Sequence, residues 1–145
     1  MEETLLTHSS EETIAFARRF SSLLKGGDVI ALRGDLGTGK TCFAKGIISE
    51  LTEIDVNDIP SPSFTLLEEY AAKPRLFHVD LYRLNKIQAA VDLPWDDLFT
   101  PNAITLIEWP ERYELLLNYC QTEIIFSKQG GANDRKIQIV KKEKR

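Results

Sequence analysis

The sequence predicts an α/β domain of three layers, with a central, mostly parallel sheet and antiparallel edge strands. Three observations predict it. Two short aliphatic runs without alternation, Asp28-Val29-Ile30-Ala31-Leu32-Arg33 and Ala103-Ile104-Thr105-Leu106-Ile107, have the pattern of strands buried on both faces. Segments of helical spacing alternate with the strand-like runs. A glycine-rich stretch, residues 34–41, joins the first run directly to one of those helices. Residues 1–145 are read as one domain, because no Gly/Ser-rich or Pro-rich linker, repeat or low-complexity tract divides them.

The first helix has capping-box spacing, with Ser9 at the cap and Glu12 three residues on. Ile14, Ala17, Phe20 and Leu24 recur at helical intervals, and Gly26-Gly27 is expected to stop the helix. The run 28–33 is the first strand. A second helix covers Lys40 to Leu51, where Phe43, Ile47 and Leu51 lie four apart. Residues 52–63 are polar and end in Pro60-Ser61-Pro62-Ser63, a loop because proline restricts the residue before it. Residues 64–70 and 75–80 read as an antiparallel pair of strands, and 87–98 as a short helical region. The run 103–107 ends at Glu108, and Pro110 starts a helix to about Asn118. Two last strands, 122–127 and 135–140, flank Gly130-Gly131-Ala132-Asn133-Asp134, which has hairpin-loop chemistry.

Composition narrows the function classes. Hydrophobic residues at 43% and charged residues at 28% exclude a disordered, collagen-like or coiled-coil chain. No apolar run approaches the roughly 20 residues of a membrane helix, and the acidic start Met1-Glu2-Glu3-Thr4 is unlike a signal peptide, so a cytoplasmic chain without membrane contact is expected. The net charge is −4, but Arg135 to Arg145 carry +5, which leaves −9 on the other 134 residues. So acidic a body is a poor direct partner for nucleic acid. The basic end, 141–145, reads as a frayed, solvated terminus. Cys42 and Cys120 are far apart and in no metal-ligand spacing, so no zinc site and no disulfide is expected.

Gly34-Asp35-Leu36-Gly37-Thr38-Gly39-Lys40-Thr41 matches G-x-x-x-x-G-K-[ST], the P-loop. Glycines let successive backbone N–H groups face inward as a nest for phosphate oxygens, and the following helix adds its positive end. Lys40 is placed to reach the β- and γ-phosphates, and the Thr41 hydroxyl to ligate Mg²⁺. With glycine at ordinary frequency, a chain of this size shows the motif by accident roughly once in a few hundred cases. A nucleoside triphosphate ligand is therefore expected.

A P-loop also needs a carboxylate at the end of a neighbouring buried strand. Asp80 follows Leu76-Phe77-His78-Val79, and Glu108 follows Ile104-Thr105-Leu106-Ile107. The second run is more apolar and so is expected beside the loop strand, which puts Glu108 at the metal and leaves Asp80 to orient the hydrolytic water. His78 reads as a hydrogen-bonded structural histidine unless its face of the strand is also polar. Trp109 either belongs to the core or covers the nucleotide pocket.

Guanine specificity has little support: Asn85-Lys86-Ile87-Gln88 ends in a residue that cannot accept from guanine as a carboxylate would. A small-molecule kinase, the alternative reading, calls for an arginine-bearing lid, and the close arginines are only Arg83 and Arg112. A nucleotide-gated binding module is a third reading.

Four motifs in order, the P-loop, Ser61-Pro62-Ser63-Phe64-Thr65-Leu66, His78-Val79-Asp80-Leu81-Tyr82-Arg83-Leu84 and Ile107-Glu108-Trp109-Pro110-Glu111-Arg112, resemble those of the bacterial TsaE (YjeE) family. The resemblance implies a P-loop NTPase-like fold and a small ATPase required for N6-threonylcarbamoyladenosine at position 37 of tRNAs reading codons that start with A. It implies ATP and Mg²⁺ as cofactors and TsaD and TsaB as partners, with tRNA met through that complex. By position, Asp35 to Cys42 would bind the nucleotide, with Lys40 and Thr41 as the phosphate and Mg²⁺ residues. Ser61, Ser63 and Thr65 would form a switch-like loop. Asp80 would be needed for hydrolysis, Glu108 would be the metal carboxylate, and Trp109 would lie beside the site. Arg135 or the first helix region would contact adenine. Ser63 replaces the family's usual threonine and keeps the hydroxyl. Cys42 replaces a second threonine and keeps the backbone N–H.

Overall fold

The computed structural model describes residues 2–142. Of the basic end, residues 143–145 lie outside them. Seven strands form one sheet in the order β1-β7-β6-β2-β5-β4-β3. They are β1 (Glu2–Thr7), β2 (Val29–Arg33), β3 (Leu67–Tyr70), β4 (Arg75–Asp80), β5 (Ala103–Glu108), β6 (Thr122–Lys128) and β7 (Arg135–Lys141). The central pairs β6-β2, β2-β5 and β5-β4 are parallel. The outer pairs β1-β7, β7-β6 and β4-β3 are antiparallel. This is the three-layer, P-loop NTPase-like α/β fold the sequence predicts, with antiparallel strands at both edges.

β2 is buried on both faces, and its side chains divide between two cores. Ile30 and Leu32 join Phe43, Ile47, Leu106 and Ile124 beneath helices α1 (Ser10–Ser21) and α2 (Lys40–Thr52). Val29 and Ala31 join Phe77, Val79, Ile107 and Leu116 on the opposite face. That face is covered by α3 (Ile87–Val91), α4 (Trp95–Leu98) and a 3₁₀ segment, Pro110–Tyr119. Phe16, Phe20, Phe43 and Phe126 meet with centroids 5.4–6.3 Å apart, a spacing that favours tilted and edge-on pairs.

Several expected boundaries move. Ser9 caps α1 as its spacing predicts, accepting from the Glu12 N–H. The helix ends at Ser21 rather than at Gly26-Gly27, because the Ser21 and Ser22 hydroxyls donate back to the Arg18 and Arg19 carbonyls. Gly26 serves close approach instead: a Cβ there would lie 2.1 Å from the Pro101 carbonyl oxygen. The strand expected from Phe64 begins at Leu67, since Leu66 has φ of 67° and its N–H closes a turn onto the Pro62 carbonyl. The region 87–98 is two short helices interrupted at Pro94. The helix after Pro110 is 3₁₀ and kinks at Tyr113. β1 has no counterpart in the sequence reading; five of its six residues are exposed or only partly buried, and it exists through pairing with β7 from the other end of the chain.

Cys42 and Cys120 are free thiols, and burial pushes the Cys120 thiol up to about 12, which leaves it an inert core group. Among the described residues, no helix is long and apolar enough to cross a membrane.

Helices α1 and α2 touch where Ala17 meets Gly46: a Cβ at Gly46 would lie 2.7 Å from the Ala17 Cβ and 3.0 Å from the Ile14 carbonyl oxygen. Gly46→Val should therefore destabilise the protein by about 2 kcal/mol through overpacking, measured by urea unfolding. An unchanged midpoint would refute this contact.

Candidate functional site

The site lies where the parallel strands β2, β5 and β4 end, the usual crevice of such a sheet. β2 runs into the glycine loop. Gly34 has φ of +143°, and a Cβ there would sit 2.4 Å from the Phe126 carbonyl oxygen and 2.9 Å from the Thr38 hydroxyl. No other residue type fits. Gly39 caps α2 with φ of 108° and no side-chain bond, so the first N–H groups of the helix are left for a ligand. The Thr38 hydroxyl braces the loop from beneath by donating to the Asp35 carbonyl at 2.7 Å.

Lys40 folds its ammonium into the loop. It donates to the Gly34 carbonyl and, at 2.8 Å, to the Asp35 carbonyl, and lies 4.3 Å from the centre of the Trp109 ring. Burial pulls the Lys40 pKa below its ordinary value, opposed by the charges of Glu108, Glu111, Asp80 and Asp35. The Thr41 hydroxyl donates to Glu108 Oε1 at 2.8 Å. The other carboxylate oxygen of Glu108 accepts from His78 Nε2 at 2.7 Å. Both residues are buried, and His78 Nδ1 has no hydrogen-bond partner among the described residues. His78 is therefore a hydrogen-bonded histidine on a polar face, with Glu108 as its partner.

β4 and β5 are in register with Asp80 opposite Glu108. Asp80 accepts the Tyr82 N–H at 3.0 Å. Its carboxyl is held above the usual range, first by burial and then by the neighbouring Glu108, with Tyr82, His78 and Lys40 opposing.

These groups wall a cavity of about 820 Å³, within the range of small-molecule and cofactor sites. Leu36, Gly37, Gly39, Lys40, Thr41, Cys42, Ser61, Ser63, Asp80, Glu108, Trp109 and Arg135 all line it. Three sequence-derived positions do not. Asp35 offers only its carbonyl to the loop, Thr38 is turned beneath it, and the Thr65 hydroxyl donates to Glu68 at 3.2 Å. Trp109, with φ of 59°, stands at the cavity and packs on Tyr82 at 5.0 Å between centroids. Arg135 reaches from β7 to the Gly37 carbonyl at 3.2 Å.

Tyr82, Arg83 and Asn133 join the wall without having been singled out for it, as do Ser9, Ser10, Glu11 and Thr13, known beforehand only as a region. Tyr82 and Arg83 lie in the motif around Asp80, which was the available signal. The start of α1 carries none, because its side of the cavity is set by helix packing.

Thr41 and Glu108 fit a magnesium ion. Among the described residues, no group of three or more His, Cys, Asp or Glu could hold a metal. One hydroxyl and one carboxylate suit an ion that completes its shell with phosphate oxygens and water.

A family model described as "Threonylcarbamoyl adenosine biosynthesis protein TsaE" matches residues 7–137. A protein of Aquifex aeolicus described as "tRNA threonylcarbamoyladenosine biosynthesis protein TsaE" is 36% identical over 139 residues, 95% of this chain and 96% of its own. A Bacillus subtilis protein of the same description is 36% identical over 133 residues, 90% of this chain and 80% of its own. A crystal structure described as that of "Bacillus subtilus YdiB" superposes with a TM-score of 0.71 at 31% identity, covering 96% of this chain and 84% of that one.

Because the folded pKa of Asp80 is raised, its contribution to stability is present below the unfolded pKa and lost as pH rises through the folded one. At neutral pH its charge is a burden on the nucleotide-free protein. Asp80→Asn should raise the melting temperature there, with the gain shrinking as pH falls through the Asp80 titration. In carboxyl-detected NMR titrations, Glu108→Gln should lower the Asp80 midpoint and Lys40→Met should raise it. A midpoint that neither substitution moves would contradict this electrostatic account.

Proposed function

This chain belongs to the TsaE family of tRNA threonylcarbamoyladenosine biosynthesis proteins, and from that premise we propose that it binds and hydrolyses ATP with Mg²⁺ as an accessory to the modification. In this reading it acts with TsaD and TsaB in forming N6-threonylcarbamoyladenosine at position 37 of tRNAs that read codons starting with A. The convergence of Lys40, Thr41, Glu108 and Asp80 on the glycine loop carries the proposal.

The Lys40 ammonium exchanges two carbonyls for phosphate oxygens, recovering solvation that burial denies it. Loop amides and the start of α2 hold the inner phosphates. Thr41 and Glu108 would hold Mg²⁺, which would neutralise charge developing on the phosphates. His78 fixes the orientation of Glu108 from behind. Asp80, whose pKa burial moves toward the working range of a base, orients the attacking water. Ser61 and Ser63 report the state of the phosphates from the cavity rim. Arg135 and the start of α1 line the same cavity as the loop, which suits an adenosine. The −9 body is ill suited to bind tRNA alone, so tRNA is met through the complex in the cytoplasm.

A reconstituted modification assay tests this. With ATP and this chain, TsaD–TsaB should carry out many rounds; with Lys40→Ala or Glu108→Ala, hydrolysis should fall about 10²-fold and modification should stop after the first round. Full multiple turnover with a non-hydrolysable ATP analogue would reduce the chain to a nucleotide-gated binder. Label transferred from ATP to a metabolite rather than released as phosphate would make it a kinase.

A further inference from the structure

Arg83 is a cation at the cavity wall that forms no ion pair with any carboxylate among the described residues. Two arginines line the cavity. Arg135 donates to the carbonyls of Ala132, Asp134 and Gly37. Arg83 makes no hydrogen bond or ion pair with any described residue; its guanidinium carbon rests 4.5 Å from the centre of the Phe64 ring.

That resting place is unusual in two ways. Phe64 is 81% exposed, so the ring gains little from burial where it stands. It also lies between Ser63, at the cavity, and Leu66, whose positive φ turns the chain back. A guanidinium over an exposed ring is weakly held, whereas two parallel N–H···O bonds to a phosphate are among the stronger polar contacts available to it.

Position indicates which phosphate. Arg83 follows the end of β4, two strand spacings from β2, or about 10 Å. Lys40 and the loop amides serve the phosphates at the β2 side. Arg83 lines the same cavity as Asp80, three residues before it in the chain, and Ser63, next to the Phe64 ring on which it rests.

We propose that Arg83 is an arginine finger supplied in cis: on binding of a nucleoside triphosphate its guanidinium leaves the Phe64 ring and donates to the γ-phosphate oxygens. The exchange frees Phe64 and so makes the segment 61–65 sensitive to triphosphate against diphosphate. This rests on the ATP reading above.

Calorimetric titration of the full chain with Mg-ADP and with a non-hydrolysable Mg-ATP analogue separates the two. For Arg83→Ala, affinity for the analogue should fall about 10-fold or more while ADP affinity stays within about 2-fold, and single-turnover hydrolysis should drop about 10²-fold or more. Arg83→Lys should not restore the rate, since an ammonium lacks the planar fork. Phe64→Leu should leave ADP affinity unchanged and should not weaken the analogue. An unchanged analogue-to-ADP ratio, or equal weakening of both, would overturn the assignment while leaving nucleotide binding intact. Loss of TsaD–TsaB stimulation alone would make Arg83 a docking residue and also overturn it. Failure of the unsubstituted chain to bind either nucleotide would instead remove the ATP reading, and this inference with it.

Discussion

The site depends on the parallel register of β2, β5 and β4. Leu32 pairs with Glu108, and Glu108 with Asp80. Three chain segments therefore finish at one level of the sheet: one continues into the glycine loop and the other two end in carboxylates. A shift of one residue in β5 would turn Glu108 to the opposite face, away from Thr41. The two apolar cores on either side of the sheet enforce the register, since each side chain of β2 from Val29 to Leu32 has a face on which it is buried.

That alignment concentrates polar groups where the sheet is driest. His78, Asp80, Glu108 and Lys40 are all buried. Removing charged groups from water is costly unless they are paired or bonded. The protein meets the cost locally: Glu108 is bonded at both oxygens, Asp80 takes a backbone N–H, and Lys40 donates to carbonyls of its own loop. The last arrangement is provisional in a chemical sense. A carbonyl is a weaker partner for an ammonium than a phosphate oxygen, so the loop holds its lysine close to where an anion would draw it.

Cations resting on aromatic rings recur around the cavity. Lys40 faces Trp109, Arg83 faces Phe64, and Arg112 lies 5.7 and 5.8 Å from the Tyr82 and Trp109 rings. Rings hold positive charge in place without neutralising it. The Arg33 guanidinium, by contrast, is fixed between Glu111 and Glu123 just before the loop begins, and so belongs to the frame rather than to the working surface.

Local chemistry made much of this legible in the sequence. The unbroken apolar runs of β2 and β5 mark strands with two dry faces, Ser9 and Glu12 mark a helix start, and the glycine spacing of the loop follows from φ values only glycine adopts freely. Glu108 and Asp80 were marked by standing at strand ends. Other features have no local signature. β1 is an acidic, mostly exposed segment that is a strand only because β7 offers it an edge. Phe64 has strand-like composition, yet Leu66 turns the chain before β3 begins. Thr65 stands in a motif, but its hydroxyl faces Glu68. The partner of His78, the seat of Arg83 and the share of the wall taken by α1 follow from contacts between residues distant in the chain. Short-range sterics and periodicity fix what a segment is; which side chains face one another is decided only when the two cores close around the sheet, because that energy belongs to pairs of surfaces and not to any one segment.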